Sequence, residues 1–167
     1  EIRPRDWSSD VCSSDLITYE LTASTFVQNA AVSGGGAIFA STDQDILVAL
    51  DRVDLTANTV VGSGGAIEVS ENESSSTARL TTRGGSFTGN RGGRGDGGAI
   101  WAAGGGNNGV TAVSVVGTRF VGNEVGGNGG AIYTNDSLEL SGATFVDNTA
   151  GVGDGGAAYA EGNVTVT

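Results

Sequence analysis

A motif pair that recurs five times constrains this chain more than any other feature of its sequence. In each copy a Phe or Leu is followed three positions later by Asn, and a Gly-Gly-Ala-Ile or Gly-Gly-Ala-Ala segment begins nine or ten positions after the Phe or Leu. The five pairs are Phe26 with Asn29, Leu55 with Asn58, Phe87 with Asn90, Phe120 with Asn123, and Phe145 with Asn148. Such a repeat is typical of a solenoid, in which each copy packs only against its neighbours.

The segments between the motifs have the periodicity of strands. Residues 17–22 and 113–116 alternate and are rich in β-branched side chains, and no window shows a sustained helical spacing. Glycine supplies 30 of the 167 residues, and helical repeats tolerate this poorly because each interior glycine costs about 1 kcal/mol relative to alanine. We therefore predict an all-β fold, a parallel β-helix solenoid of about five coils with three short strands each.

Stacking of the coils assigns a role to each motif column. We expect the Phe and Leu residues to form one interior column, each contributing about 1.5 to 3 kcal/mol through burial. We expect the Asn residues to hydrogen-bond from coil to coil, because a side-chain amide both donates and accepts. Insertions at 41–45, 70–76 and 104–109 all follow the Gly-Gly-Ala motif, which places them at one corner of the coil.

The alternating FxxN and GGAI motifs resemble the repeat of the chlamydial polymorphic outer membrane proteins over residues 17–167. This resemblance implies a right-handed parallel β-helix, the passenger region of an autotransported protein with a pectin lyase-like fold. It also implies an extracellular location or one at the bacterial outer membrane surface. Leu55 in place of Phe and Ala158 in place of Ile depart from the pattern, and both keep their position apolar.

The first sixteen residues match no part of the repeat. They contain the only Pro and the only Cys of the chain, and residues 6–16 resemble translated sequencing adapter. We predict that residues 1–16 are a disordered, non-native leader. We expect residues 17–167 to be a β-helix repeat fragment that is truncated at both ends.

Composition excludes several classes of site and partner. Outside the leader the chain has no Cys, His, Lys or Met, which excludes disulfides, thiolate zinc sites and histidine-dependent triads. The formal net charge of -11 argues against nucleic acid and anionic membrane surfaces as partners. No run of about 20 apolar residues is present, so we expect no membrane span. We also expect no cofactor and no metal.

The position after each four-residue Gly-Gly-Ala-Ile or Gly-Gly-Ala-Ala segment forms a candidate binding column. Strand alternation turns this position outward, which predicts a flat exposed stripe that could stack sugar rings or contact a protein. The alternative is that the rings only stabilise the sheet. A host-surface protein or a glycan is the expected partner, and the sequence leaves the oligomeric state open. The column consists of Phe39, Glu68, Trp101, Tyr133 and Tyr159.

Two acidic features have simpler explanations than a ligand. The tripeptide at 94–96 spells the integrin-recognition sequence Arg-Gly-Asp, but turn-forming residues occupy the position of Asp96 in every copy. A calcium site would need carboxylates on adjacent coils, whereas Asn128 separates Asp96 from Asp154 in the stack. We therefore predict neither integrin binding nor structural calcium.

No set of catalytic residues emerges from the repeat. Enzymatic β-helices need convergent carboxylates, or carboxylates with a base, and the available acids fall in different positions of the repeat. These acids include Glu68, Glu124, Asp136 and Glu139. We predict that the chain is not an enzyme but part of an exported bacterial surface protein, a structural or adhesion rod that displays binding loops and the aromatic column. The alternative is a catalytic or non-catalytic part of a carbohydrate-active β-helix, similar to polysaccharide lyases and hydrolases.

Overall fold

The computed structural model describes residues 16–72, 76–104 and 110–167. Within these ranges all strand pairs are parallel, and the chain winds through about five turns that stack into three main sheets. This arrangement confirms the predicted all-β parallel solenoid, while the right-handed winding stays a prediction. Residues 1–15 of the predicted leader, and residues 73–75 and 105–109 of the predicted insertions, lie outside the described part of the chain.

Sheet 1 contains the longest strands. Its inward positions alternate with outward ones, as in β5, where every second residue is buried. Its six members, in spatial order, are β1 (Ile17–Thr22), β5 (Ile46–Asp51), β9 (Thr77–Arg83), β12 (Val110–Val116), β16 (Ser137–Ser141) and β20 (Val164–Val166).

Sheets 2 and 3 each take one strand from every turn. Sheet 2 carries the Phe and Leu column and consists of β2 (Thr25–Val27), β6 (Asp54–Thr56), β10 (Ser86–Thr88), β13 (Arg119–Val121) and β17 (Thr144–Val146). The strands of sheet 3 begin at the fourth residue of each Gly-Gly-Ala-Ile or Gly-Gly-Ala-Ala segment. They are β4 (Ile38–Thr42), β8 (Ile67–Glu71), β11 (Ile100–Gly104), β15 (Ile132–Thr134) and β19 (Ala158–Ala160).

A fourth, two-residue segment follows the motif Asn in most turns and was not anticipated. In four turns this segment forms a short strand: β3 (Ala30–Ala31) pairs with β7 (Thr59–Val60), and β14 (Glu124–Val125) pairs with β18 (Thr149–Ala150). Arg91 bridges the two pairs by contacting Thr59 on one side and Glu124 on the other. Two residues are too short to show an alternation, so periodicity could not reveal this segment.

The core consists of like residues stacked from turn to turn. Val48, Leu80, Val113 and Leu138 lie in register on sheet 1 and are buried. On sheet 2 the ring centroids of Phe87 and Phe120 are 4.8 Å apart, and those of Phe120 and Phe145 are 5.0 Å apart. The apolar columns therefore run parallel to the solenoid axis and bind each turn to the next.

The Gly-Gly-Ala motif forms the corner before sheet 3, and its two glycines have different roles. The first glycine adopts a positive φ, for example 70° at Gly97, which an L side chain rarely tolerates. The second glycine lies directly against the neighbouring turn, because a Cβ on Gly98 would collide with the carbonyl oxygen of Gly130. In the described part of the chain, no helix is long and apolar enough to cross a membrane.

Candidate functional site

The five residues of the aromatic column occupy one position on neighbouring strands of sheet 3. Phe39 on β4 pairs with Glu68 on β8, and Glu68 pairs with Trp101 on β11. Trp101 pairs with Tyr133 on β15, which pairs with Tyr159 on β19. The spacing of the motifs therefore brings together side chains that are 120 positions apart in the sequence.

The rings of the column stack on each other. The ring centroids of Trp101 and Tyr133 are 6.3 Å apart with planes 8° from parallel, and those of Tyr133 and Tyr159 are 5.7 Å apart at 4°. In such a stack the ring faces partly cover each other, so that ring edges and not faces are directed away from the sheet. The arrangement differs from the flat stripe expected from the sequence, since a sugar ring stacks on a face and not on an edge.

Exposure varies strongly along the column. Phe39 is 59% exposed, whereas Tyr133 is only 9% exposed because it lies between two rings and beneath Glu161. The Tyr133 hydroxyl donates a 2.7 Å hydrogen bond to the Glu161 carboxylate. Burial, and then the bond to Glu161 and its charge, raise the pKa of Tyr133 well above the ordinary value. The prediction of a continuous exposed stripe is wrong at Tyr133, which acts here as a protonated, buried hydrogen-bond donor.

Glu68 interrupts the row of rings between Phe39 and Trp101. It is partly buried, and this burial raises the pKa of its carboxyl above the usual 4.5, while the backbone N–H of Gly35 lowers it in part. A Cβ on Gly34 would lie 2.5 Å from a ring carbon of Phe39 and 2.9 Å from a carboxylate oxygen of Glu68. Both side chains therefore lie over the same glycine, which has no side chain to separate them.

A ladder of hydrogen bonds runs along the corner before sheet 3. The backbone N–H of Asp96 donates to Ser63 Oγ (3.1 Å), that of Asn128 to Asp96 Oδ1 (2.6 Å), and that of Asp154 to Asn128 Oδ1 (2.8 Å). The Asp96 carboxylate is thus engaged by the next turn. This supports a structural role for Asp96, in place of presentation to an integrin.

The motif Asn residues form a second ladder, at the corner after sheet 2. Asn58, Asn90 and Asn123 are fully buried. In each of them the side-chain oxygen accepts two hydrogen bonds from the Asn of the preceding turn, one from its backbone N–H and one from its side-chain amide. The side-chain amide nitrogen in turn donates one hydrogen bond to the side-chain oxygen of the following Asn and one to a backbone carbonyl of the preceding turn. The ladder ends at Asn29, which is exposed, and at Asn148.

Shallow depressions on the outer face of sheet 1 were missed by the sequence analysis. One has a volume of about 290 Å³ and is lined by Arg79, Thr81, Ser114 and Glu139 among others. A second, of about 220 Å³, is lined by Glu20, Asp51 and Arg83 among others. The small outward residues of this sheet, such as Ala49 and Thr81, were a signal for a recessed face. Within the described ranges, no three acidic, His or Cys side chains converge on a position suited to a metal ion.

Comparison with known families finds a match at two of the turns. Residues 23–41 and 117–135 match the Chlamydia polymorphic membrane protein repeat. Each matched segment runs from the corner after sheet 1 to sheet 3 or just beyond it, and each includes one motif Asn and one ring of the column, Phe39 or Tyr133. The resemblance based on the FxxN and GGAI motifs is therefore confirmed at these sites. The chain has no significant match among curated proteins or solved structures.

Proposed function

We propose, from its two polymorphic membrane protein repeats, that this chain is part of an exported bacterial surface protein in which the solenoid is a rod and the aromatic column binds a partner at the host surface. The observation that carries the proposal is that both matched repeats include a column residue, Phe39 or Tyr133. At these two turns the column position therefore lies inside the matched part of the repeat.

The solenoid supplies the mechanical part of this function. Parallel strands stack about 4.8 Å apart, so five turns extend roughly 25 Å along the axis. Every turn is joined to the next by three sheets, and the two side-chain ladders join most of the turns at two corners. Such a rod holds its surface residues at fixed spacing, and this pre-organisation lowers the entropic cost of binding.

A protein is a better partner for this column than a glycan. The stacked rings of Trp101, Tyr133 and Tyr159 direct their edges outward, so few ring faces are open to a sugar. Exposed apolar surface at Phe39, with the Glu68 carboxylate nearby, resembles the aromatic anchors and polar rim of a protein interface.

The alternative of a carbohydrate-active β-helix would use the outer face of sheet 1. One depression there brings Glu20, Asp51 and Arg83 into its lining, but the Asp51 carboxylate is already paired with Arg52 at 3.0 Å. A glycosidase needs both of its carboxylates for the reaction. Release of reducing or unsaturated sugars from polysaccharides by the purified chain would support this alternative over the rod.

Binding of the labelled chain to cells tests the proposal. The chain carries a fluorophore on Cys12, its only cysteine, and its binding to cultured epithelial cells is measured by flow cytometry. We expect the double variant Phe39→Ser, Trp101→Ser to bind about tenfold more weakly, because exposed aromatic anchors contribute most of the affinity of an interface.

The matched control removes exposed apolar surface elsewhere. Val32→Ser with Val61→Ser changes two side chains that are 79% and 67% exposed and lie outside the column. We expect this variant to bind cells like the unmodified chain. Equal loss of binding in both variants, with unchanged thermal unfolding, would contradict a role for the column.

A further inference from the structure

We propose that Phe39, Glu68 and Trp101 form a receptor for a cationic side chain, specifically an arginine of the partner protein. This inference rests on the proposed function and names the chemistry of its binding site. The basis is the gap in the aromatic column: rings stand at four of the five positions, and a carboxylate stands at the second.

The spacing of the gap suits a cation. Glu68 is one strand away from Phe39 and one strand away from Trp101, so a group above Glu68 lies about 4.8 Å along the axis from each ring position. Cation–π attraction extends to about 6 Å from a ring centroid. One cation above Glu68 is therefore within reach of both rings and of the carboxylate.

Ring orientation favours the same position. Trp101 stacks one face on Tyr133, with planes 8° from parallel, and its opposite face is turned toward Glu68. Phe39, at the other side of the gap, is the most exposed ring of the column. Gly34 allows the Phe39 ring and the Glu68 carboxylate to approach each other. The gap thus has an aromatic residue at the paired position on each side and a carboxylate between them.

The charges around the gap also favour a cationic ligand. The ion pairs in the described part of the chain are Arg52–Asp51 and Arg91–Glu124, so no cation of that part neutralises Glu68. The formal net charge of -11 attracts a basic partner from a distance. Arginine suits the gap better than lysine, because its planar guanidinium stacks on aromatic faces, binds carboxylates with two donors and is weakly hydrated.

The experiment compares two peptides that differ in one charge. Both are blocked at their ends and otherwise neutral; one has a central arginine and the other has citrulline, its neutral isostere. Binding is followed by fluorescence in a Trp7→Phe background, in which Trp101 is the only indole. We expect the arginine peptide to change the Trp101 emission saturably, and the citrulline peptide to bind at least about tenfold more weakly, which equals about 1.4 kcal/mol.

Two carboxylate variants locate the site. Glu68→Gln should weaken the arginine peptide about tenfold, whereas Glu139→Gln removes the same charge from the outer face of sheet 1 and should weaken it less than about twofold. Equal binding of the two peptides would overturn the inference, and so would equal effects of the two variants or no binding at 1 mM peptide. If cell binding still depends on Phe39 and Trp101 in that case, the proposed function stands with a different ligand.

Discussion

At the scale of single residues, Asn90 shows how one side chain joins three turns. Its Oδ1 accepts bonds from the backbone and the side chain of Asn58, both at 3.0 Å, and its Nδ2 donates to the Leu55 carbonyl and to Asn123 Oδ1, both at 2.9 Å. All of these groups lie in the interior, where water cannot replace a lost partner. The loss of one of these bonds therefore lowers the stability of the protein mainly because it leaves a buried polar group without a partner. The strength of the bond itself contributes less.

Removal of this side chain should be costly. We expect Asn90→Ala to lower the free energy of unfolding by about 3 to 5 kcal/mol, because a buried group without a partner costs about 1 to 3 kcal/mol and several are created. Urea denaturation followed by circular dichroism measures the change.

The exposed end of the same ladder provides the control. Asn29 makes a single side-chain bond, from its Nδ2 to Asn58 Oδ1 at 2.8 Å, so Asn29→Ala should cost only about 1 kcal/mol. If the two alanine variants were equally stable, the buried ladder would not be a major source of stability.

At the scale of the elements, the second glycine of each motif sets how closely two turns approach. We expect Gly98→Ala to destabilise the protein by about 3 kcal/mol, at the upper end of overpacking costs, because the new Cβ meets the backbone of Gly130 and not a side chain that can move. Thermal or urea unfolding measures this loss.

Gly156→Ala makes the same change at the equivalent corner where no described turn lies above. A Cβ there finds its nearest atom, the Asn148 carbonyl oxygen, at 3.7 Å. This variant should be neutral or up to about 1 kcal/mol more stable, because alanine restricts the unfolded chain. A similar loss in both variants would show that contact between turns is not the reason for the glycine.

The main elements were predictable because their information lies in local periodicity. Strands of five to seven residues in sheet 1 show alternation, and the motif spacing fixes their register. The backbone conformation at the corners after sheet 1 was harder to predict. Gly84 and Gly117 adopt the positive φ in some turns, but Ala23 and Arg52 adopt it in others, at 46° and 54°. Neither Ala nor Arg indicates a left-handed conformation from its type alone.

The burial of the column could not be predicted from one repeat. Tyr133 is covered by its ring neighbours and by Glu161, a residue of the next turn that follows β19. The periodicity gave the correct position of Tyr133 on sheet 3, but exposure depends on side-chain orientation across turns. Stacking of the rings turned their edges outward, and alternation along a strand carries no information about that rotation.

At the scale of the whole molecule, the acidic residues are distributed so that they avoid each other. The chain has a formal net charge of -11, and stacked turns would bring like charges about 4.8 Å apart. In the described ladders, however, no acidic residue faces another acidic residue: Asp51 lies between Thr22 and Arg83, and Glu139 between Ser114 and Thr165. The solenoid therefore carries a large charge without direct repulsion between neighbouring turns.

A carboxylate placed beside Glu139 tests this arrangement. Ser114 faces Glu139 across the turns, with 3.4 Å between Oγ and Oε2. We expect Ser114→Asp to be about 1 kcal/mol less stable than Ser114→Asn at low salt, since two charges at this distance repel by about that amount in water. The Asn variant has the same shape without the charge, so the difference between the two isolates repulsion from any loss of packing.

The dependence on salt concentration distinguishes charge repulsion from a geometric disturbance of the sheet by the Asp side chain. At 1 M NaCl the screening length falls to about 3 Å, and the difference between the Asp and Asn variants should shrink to less than about half. Urea unfolding at both salt concentrations provides the comparison. A difference that persists at high salt would mean that the Asp side chain disturbs the sheet by its geometry, and the spacing of acids along the rod would then not be an electrostatic adaptation.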